Sequence, residues 1–180
     1  MKLVILDRDG VINQDSANYI KSPNEWIPIP NSLEAISLLN QNGYSVVIAT
    51  NQSGVGRGLY GIEELNNIHS KMLKMLAELG GSIDAIFYCT HTDEDHCSCR
   101  KPKPGMLMEI KNRFSVSFES ICGVGDSLRD LQAYEQVGMQ PILVKTGNGE
   151  KTFLENKYPK TSLVFEDLFE AATKIIEGHK

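Results

Sequence analysis

The sequence lacks the features that would assign it to a membrane or to nucleic acid. No apolar run approaches the roughly 20 residues that a membrane-spanning helix needs. Basic residues are not in excess: the net charge is −5 and the isoelectric point is about 5.4, so general electrostatics favour neither nucleic acid nor an anionic membrane. The first residues also lack the charged and then apolar pattern of a secretion signal. We therefore expect a cytoplasmic protein whose partner is a small molecule.

Cysteine is scarce, and low-complexity sequence is absent. The chain has four cysteines in 180 residues, which in the cytoplasm are expected to be thiols or metal ligands rather than disulfides. No internal repeat or linker divides the sequence. With 41% hydrophobic residues, a chain of this length can bury one substantial core. We therefore predict a single domain over residues 1–180, and we expect a monomer.

Strand-like and helix-like segments alternate along the chain. Strands are predicted at residues 3–6, 44–49, 83–88, 120–124 and 141–144, with a weaker one at 163–165. Helices are predicted from Asn31, as an N-cap, to Gly43, and then at 62–79, at 104–113, up to Gly138 and at 168–177. This alternation predicts a three-layer α/β/α, Rossmann-like fold with a mostly parallel sheet.

Two carboxylates follow the first predicted strand. Asp7 and Asp9 are two residues apart, so in extended backbone they share a face at the edge where open α/β sheets bind ligands. Two like charges this close hold a cation or share a proton, and Mg²⁺ prefers such oxygen ligands. An acidic turn is the alternative for this stretch alone. Thr50 and Asn51 after the second strand and Asp126 after the fourth should lie on the same edge, which favours the ligand site.

Cysteine and histidine are concentrated in one short loop. The pattern C-x-H-x₅-C-x-C over residues 89–99 offers three thiolates and one imidazole, a complete tetrahedral set for a structural Zn²⁺. The predicted zinc ligands are Cys89, His91, Cys97 and Cys99. A redox pair or unrelated thiols would be the alternative. His96 could replace His91, and Cys122 is expected to be a core thiol.

Four motifs together resemble the haloacid dehalogenase (HAD) superfamily of phosphohydrolases. They are Asp-x-Asp-Gly from Asp7, Thr-Asn-Gln-Ser from Thr50, the lysine of Arg-Lys-Pro at Lys101, and Gly-Asp-Ser around Asp126. They occur in the order found in that family and extend from residue 7 to residue 127 of 180. Individually, Lys101 could be a solvated charge and Thr50 a strand-end hydroxyl.

The resemblance implies a chemical role for each motif. Asp7 would be the nucleophile that forms an aspartyl-phosphate, and Asp9 the general acid and base. Mg²⁺ would be held by Asp7, Asp126 and the main-chain carbonyl of Asp9. Thr50 and Lys101 would hold the nonbridging phosphate oxygens. Asp126 could also act as a helix N-cap, which is compatible with a metal-binding role.

The intervals between the motifs leave no room for the cap domain that many family members carry. Substrate recognition is then expected from loops rather than from a cap. The predicted substrate-binding residues are Asp15, Tyr19, Asn51, Gln52, Ser53, Arg100 and Ser127. Arg100 is expected to bind the phosphate that is not cleaved, because guanidinium can engage phosphate through two parallel hydrogen bonds.

A capless phosphatase with a zinc loop resembles two branches of the superfamily, the heptose 1,7-bisphosphate phosphatases and the histidinol-phosphate phosphatases. The sequence around Asp7, Tyr19, Trp26 and Asp126 is closest to the heptose branch, whereas the zinc spacing fits both. This resemblance implies Mg²⁺-dependent hydrolysis of the 7-phosphate of D-glycero-D-manno-heptose 1,7-bisphosphate, in the synthesis of ADP-heptose for lipopolysaccharide core. Histidinol-phosphate phosphatase is the alternative, and an inactive zinc-structured binding module is a more remote one. The missing cap disfavours a phosphomutase, and the acidic charge disfavours a nucleic-acid 3′-phosphatase.

Overall fold

In the computed structural model, which describes residues 1–178, the strands pair side by side in one parallel sheet. Its six strands are β1 (Lys2–Leu6), β2 (Tyr44–Asn51), β3 (Ala85–Cys89), β4 (Cys122–Gly125), β5 (Gln140–Val144) and β6 (Leu163–Phe165). Their order across the sheet is β3-β2-β1-β4-β5-β6. Each neighbouring pair is parallel, so β1 lies centrally and its carboxyl end meets those of β2 and β4. The predicted parallel sheet is confirmed.

Helices cover both faces of this sheet. Within residues 1–178 they are α1 (Ser32–Gln41), α2 (Ser53–Gly56), α3 (Ile62–Glu78), α4 (Gly105–Phe114), α5 (Leu128–Gln136), α6 (Gly149–Glu155) and α7 (Leu168–Glu177). The alternation of side chains in β1 separates two apolar cores: Val4 and Leu6 pack with α1, α3 and α7, whereas Leu3 and Ile5 pack with α4 and α5. The predicted three-layer α/β/α architecture is confirmed.

Some local predictions were wrong in whole or in part. Asn31 holds the N-cap position of α1 as predicted, but its backbone is left-handed (φ 63°) and its side chain makes no capping hydrogen bond. Asp126 does not cap α5. Ser127 is the N-cap there, and it forms a reciprocal capping box with Asp130. The sequence reading also missed α2 and α6, which are short and lack a clear apolar period.

The loops between the strands are short where a cap domain would be inserted. In the described chain, β1 and β2 are separated by a loop, one 3₁₀ turn (Pro23–Glu25) and α1. The segment from β2 to β4 holds α2, α3, β3, the Cys/His loop and α4. The architecture is therefore capless, as predicted. Among the helices described, none is long and apolar enough to cross a membrane.

Candidate active site

A polar cavity of about 300 Å³ lies at the carboxyl edge of β1, β2 and β4. Parallel strands bring their ends to one edge, so side chains that are distant in sequence meet there. Every predicted catalytic, substrate-binding and magnesium-binding residue lines this cavity: Asp7, Asp9, Asp15, Tyr19, Thr50, Asn51, Gln52, Ser53, Arg100, Lys101, Asp126 and Ser127. The structure thus brings together the set that the sequence motifs had indicated.

Lys101 is a buried cation at the floor of the cavity. Its side chain is 1% exposed, and its Nζ lies 3.1 Å from Asp7 Oδ1 and 2.6 Å from Asp130 Oδ1. The same Nζ donates a hydrogen bond of 2.7 Å to the carbonyl of Ala49. Burial alone would lower the pKa of Lys101, but the two carboxylates outweigh it and raise that pKa above its ordinary value. Lys101 therefore remains charged beside Asp7.

The backbone of Lys101 is held by a side chain from the end of β2. Asn51 accepts a hydrogen bond of 3.0 Å from the Lys101 N–H and donates one of 3.1 Å to the Lys101 carbonyl. Thr50, the residue before it, is buried, and its hydroxyl accepts a hydrogen bond of 3.0 Å from Gln52. These contacts fix the lysine loop against β2.

Three carboxylates meet near the end of β1, and their charges determine which of them could hold a metal. Oxygens of Asp7, Asp126 and Asp130 lie within 4.8 Å of one another. Burial raises the pKa of Asp7 to about 6, although Lys101 opposes this. Burial and the two neighbouring carboxylates also raise the pKa of Asp126. A divalent cation would relieve this repulsion, so Asp7 and Asp126 have the oxygen donors and the charge to hold Mg²⁺.

The carboxylate of Asp130 is already paired with Lys101 and Ser127. Burial would raise the pKa of Asp130, but the Lys101 charge and the capping contact with Ser127 lower it below its ordinary value. Asp130 therefore serves as a counter-ion to Lys101 rather than as a free metal ligand. The sequence reading missed this residue, although the pattern Ser-x-x-Asp from Ser127 is a capping-box signature that could have identified it.

Asp126 is held by the turn after β5, which sequence reasoning left unassigned. Its Oδ2 accepts a hydrogen bond of 2.8 Å from the backbone N–H of Asn148. The Asn148 side-chain amide also donates to Asp15 Oδ2 at 2.6 Å. Gly147 has positive φ (57°), and a Cβ there would lie 2.4 Å from the Asp126 carboxylate, so a side chain would not fit. Asn148 therefore joins Asp126 to the loop that carries Asp15.

Asp9 lies apart from the cluster of three carboxylates. Its side chain accepts hydrogen bonds from Asn13 (2.9 Å) and Gln52 (2.8 Å) and forms an ion pair of 2.9 Å with Arg8. Burial would raise the pKa of Asp9, but Arg8 and the amide donors lower it below its ordinary value. The carboxylate of Asp9 is thus occupied by these donors, which leaves Asp7 and Asp126 as the side chains suited to a metal.

Three arginines surround the mouth of the cavity, and sequence reasoning identified one of them. Arg100 is mostly buried, and its Nε donates to Asp93 Oδ1 at 2.7 Å. Arg57 and Arg129 line the same cavity and are exposed, and no carboxylate of the described chain lies within ion-pair distance of either. Arg57 directly follows α2 and Arg129 lies in the first turn of α5, and neither has a local sequence signal for phosphate binding, which explains why these two were missed.

The Cys/His loop gathers the four predicted zinc ligands. Their donor atoms, Cys89 Sγ, His91 Nδ1, Cys97 Sγ and Cys99 Sγ, lie within 4.8 Å of one another. The sulfurs of Cys89 and Cys97 are 3.7 Å apart, those of Cys97 and Cys99 are 3.5 Å apart, and those of Cys89 and Cys99 are 2.9 Å apart. A tetrahedral zinc ion with bonds of about 2.3 Å separates its sulfur ligands by about 3.8 Å. The donors therefore fit zinc in number and type and in two of the three sulfur separations, and the sulfurs of Cys89 and Cys99 would move apart around the ion. His96 lies outside this set of donors, and Cys122 lies in β4.

The fold and the cavity define a HAD-like hydrolase, and comparisons of sequence agree. Residues 98–171 match the HAD-hydrolase-like family, and residues 2–133 match the family described as Polynucleotide kinase 3 phosphatase. A solved structure, the D,D-heptose 1,7-bisphosphate phosphatase from B. bronchiseptica complexed with magnesium and phosphate, superimposes with a TM-score of 0.97. The two chains are 52% identical, and the match covers 99% of each. The D,D-heptose 1,7-bisphosphate phosphatase from Burkholderia thailandensis is 44% identical, with a TM-score of 0.79 over 98% of this chain and 99% of that one.

Curated relatives specify the family further. The D-glycero-beta-D-manno-heptose-1,7-bisphosphate 7-phosphatase of Bordetella bronchiseptica is 52% identical over 98% of this chain and 99% of its own. The protein of the same name from Pseudomonas putida is 50% identical over 98% of this chain and 100% of its own. The chain therefore belongs to the family of D-glycero-D-manno-heptose 1,7-bisphosphate 7-phosphatases.

The buried pair of Lys101 and Asp130 leads to a prediction about stability. Changing Asp130 to Asn should lower the free energy of unfolding by roughly 3 kcal/mol, because it removes one counter-ion of a buried ammonium group. Changing Asp93 to Asn is the control: that carboxylate also pairs with a cation but is exposed, so the loss should be less than about 1 kcal/mol. Denaturant unfolding of both variants measures the difference. Equal losses would contradict a special role for the buried pair.

Proposed function

We propose that this protein is a Mg²⁺-dependent phosphatase that removes the 7-phosphate of D-glycero-D-manno-heptose 1,7-bisphosphate and leaves the 1-phosphate. The observation that carries the proposal is the cavity that places Asp7, Asp9, Thr50 and Lys101 together at one sheet edge. The names of relatives about half identical over the full chain support the substrate. The product would be used in the synthesis of ADP-heptose for lipopolysaccharide core.

Asp7 is the nucleophile in this proposal. Its carboxylate attacks phosphorus and forms an acyl phosphate, while the bond from phosphorus to the sugar oxygen breaks. Lys101, 3.1 Å from Asp7, keeps the carboxylate oriented and then holds a nonbridging phosphate oxygen together with Thr50. Water then attacks the same phosphorus, which releases inorganic phosphate and restores Asp7.

Asp9 moves the protons. It donates a proton to the departing sugar oxygen in the first step and accepts one from the attacking water in the second. Asp7 and Asp126, with the main-chain carbonyl of Asp9, would hold Mg²⁺. When bound, that ion would offset the repulsion between the carboxylates and the phosphate group.

The far end of the substrate meets the arginines at the mouth of the cavity. Arg100, fixed by Asp93, would bind the phosphate that is not cleaved, with Arg57 and Arg129 adding positive charge beside it. Asn51, Gln52 and Ser53 would position the reacting phosphate, and Asp15, Tyr19 and Ser127 the sugar. A bisphosphate offers two similar dianions, so a choice between them requires a second phosphate site of this kind.

The Cys/His loop binds one structural zinc ion in this proposal. Four protein ligands leave no position for water, so the ion would stiffen the loop rather than take part in catalysis. Arg100 and Lys101 directly follow Cys99, so the zinc would fix both cations relative to the cavity. We also infer that residues 1–180 form one catalytic domain that acts as a cytoplasmic monomer.

The proposed reaction can be followed directly on the wild-type protein. The wild-type protein with Mg²⁺ should release one phosphate from heptose 1,7-bisphosphate and leave the 1-phosphate, as read by ³¹P NMR. Changing Asp7 to Asn should abolish release, because an amide cannot act as the nucleophile, while the circular dichroism spectrum stays unchanged. Much faster hydrolysis of histidinol phosphate than of the bisphosphate would overturn the substrate. Appreciable activity of the purified Asp7→Asn protein would overturn the mechanism.

The second prediction concerns the zinc ion. Elemental analysis after dialysis should find about one zinc per chain in the wild type and much less after Cys97 is changed to Ser. Cys122→Ser is the control, since that thiol lies in β4 away from the loop, and its zinc content should be unchanged. A metal-free wild-type protein with full activity and an unchanged melting temperature would rule out a structural zinc.

The third prediction concerns the choice between the two phosphates. Changing Arg100 to Ala should weaken kcat/KM for the 1,7-bisphosphate by about 1.5–3 kcal/mol, since a charge-assisted contact is lost, and should affect heptose 7-phosphate much less. Arg113→Ala is the control, because that arginine packs beside Phe114, outside the cavity. Equal losses on both substrates would instead place Arg100 at the reacting phosphate.

A further inference from the structure

Arg8, which lies between Asp7 and Asp9 in the sequence, is a fully buried cation. Its side chain is 0% exposed, and its Nε and Nη2 both donate to Asp9 Oδ1, at 3.1 and 2.9 Å. Nη2 also lies 3.1 Å from Gln52 Oε1. A buried charge of this kind is tolerated when its donors are satisfied. Asp9 and Gln52 satisfy one side of the guanidinium and leave Nη1 to find another acceptor.

That acceptor comes from α3, far along the chain. His69 Nε2 lies 3.2 Å from Arg8 Nη1, and the imidazole is buried. Because a guanidinium carries donors and no acceptor, Nε2 must accept this hydrogen bond, so the proton of the neutral ring sits on Nδ1. Burial and, to a smaller extent, the charge of Arg8 lower the pKa of His69 to about 4. The ring is therefore a neutral acceptor at physiological pH.

The same network closes around Asp9 through Gln52. The Gln52 side-chain NH₂ group donates a hydrogen bond of 2.8 Å to Asp9 Oδ2. The Gln52 side-chain oxygen accepts hydrogen bonds from Arg8 and, at 2.8 Å, from the hydroxyl of Tyr60. Arg8 is thus held by acceptors that follow β1 and β2 and by one from α3. Of these, His69 touches neither Asp9 nor the cavity.

We propose that His69 is a positioning residue for the reaction: by accepting from Arg8, it fixes the guanidinium that aligns Asp9 for proton transfer to the departing oxygen. This inference rests on the proposed function, in which Asp9 is the general acid. Without the imidazole acceptor, Nη1 of Arg8 would be buried and unpaired, so the guanidinium would turn to find another partner. Asp9 would lose its alignment, although it would keep its contacts with Asn13 and Gln52.

If His69 had a purely structural role, its replacement would change the rates of hydrolysis in a different way. If His69 only fills space beneath the helix to which it belongs, its replacement would lower the rates for both kinds of substrate together or would lower stability alone. A positioning role instead affects the step that needs a proton. Departure of an alkoxide or phenoxide requires a general acid, whereas p-nitrophenoxide leaves readily without one. Because kcat/KM reports the steps up to the first irreversible one, it isolates the departure of this group from the later attack of water.

The experiment compares kcat/KM for phenyl phosphate and p-nitrophenyl phosphate in three variants. His69→Leu removes the acceptor, His69→Gln keeps an amide oxygen in its place, and Met72→Leu alters a buried residue one turn along α3 without touching the network. We expect His69→Leu to lower kcat/KM for phenyl phosphate by about 10- to 100-fold, part of the effect of a positioned general acid, and that for p-nitrophenyl phosphate less than about threefold. His69→Gln should restore most of the loss, and Met72→Leu should affect both substrates alike.

Two results would overturn the positioning role. One is an equal loss on both aryl phosphates in His69→Leu, and the other is no loss on either substrate. Failure of the proposed function would look different, because the wild type itself would then release no phosphate from heptose 1,7-bisphosphate, or would hydrolyse the aryl phosphates as well after Asp7→Asn as before it.

Discussion

The rest of the site depends on the ion pairs that the buried ammonium group of Lys101 forms with Asp7 and Asp130. The ammonium group lies within 3.1 Å of Asp7 and 2.6 Å of Asp130, and a charge this deep in the protein is tolerated because both carboxylates face it. Asp7 directly follows β1, Lys101 lies in the loop after the Cys/His cluster, and Asp130 lies in α5. One cation therefore ties three separate parts of the chain to the same sheet edge. Asp130 also completes the capping box at the start of α5, so the helix and the ion pair fix each other.

Each carboxylate of the first motif has its own buried cation, and the two environments differ. Burial raises the pKa of Asp7 in spite of Lys101, whereas Arg8 and the amides lower the pKa of Asp9. The proposed chemistry needs the reverse, an ionised Asp7 and a protonated Asp9. The charges of the ligands would supply this reversal: a divalent cation beside Asp7 lowers its pKa, and a phosphate dianion near Asp9 raises its pKa. In the proposed mechanism, the protonation states needed for the reaction would thus be set when substrate and metal bind.

Sequence reasoning predicted the parts of the site that local pattern determines. The carboxylates that follow β1, the residues after β2 and the spacing from Cys89 to Cys99 are visible because strand ends and ligand pairs are short-range features. The pairing of Arg8 with His69 was not predictable, since 61 residues separate them and their contact depends on how α3 packs against β1. The turn carrying Asn148 was missed for a related reason: its role comes from the closeness of β5 to β4, and the turn itself has no apolar period. Asn31 had the right residue type and position for a cap, but its backbone is left-handed, and its side chain makes no capping hydrogen bond.

The central claim is that the lysine-paired carboxylate of Asp7 takes up the phosphoryl group. Rapid acid quenching of the enzyme during turnover of bisphosphate labelled with ³²P at position 7 tests it most directly. We expect transient label on the protein, released by hydroxylamine and recovered after digestion in the peptide that contains Asp7. Label on Asp9 or on another residue, or turnover with no labelled protein at any quench time, would contradict it.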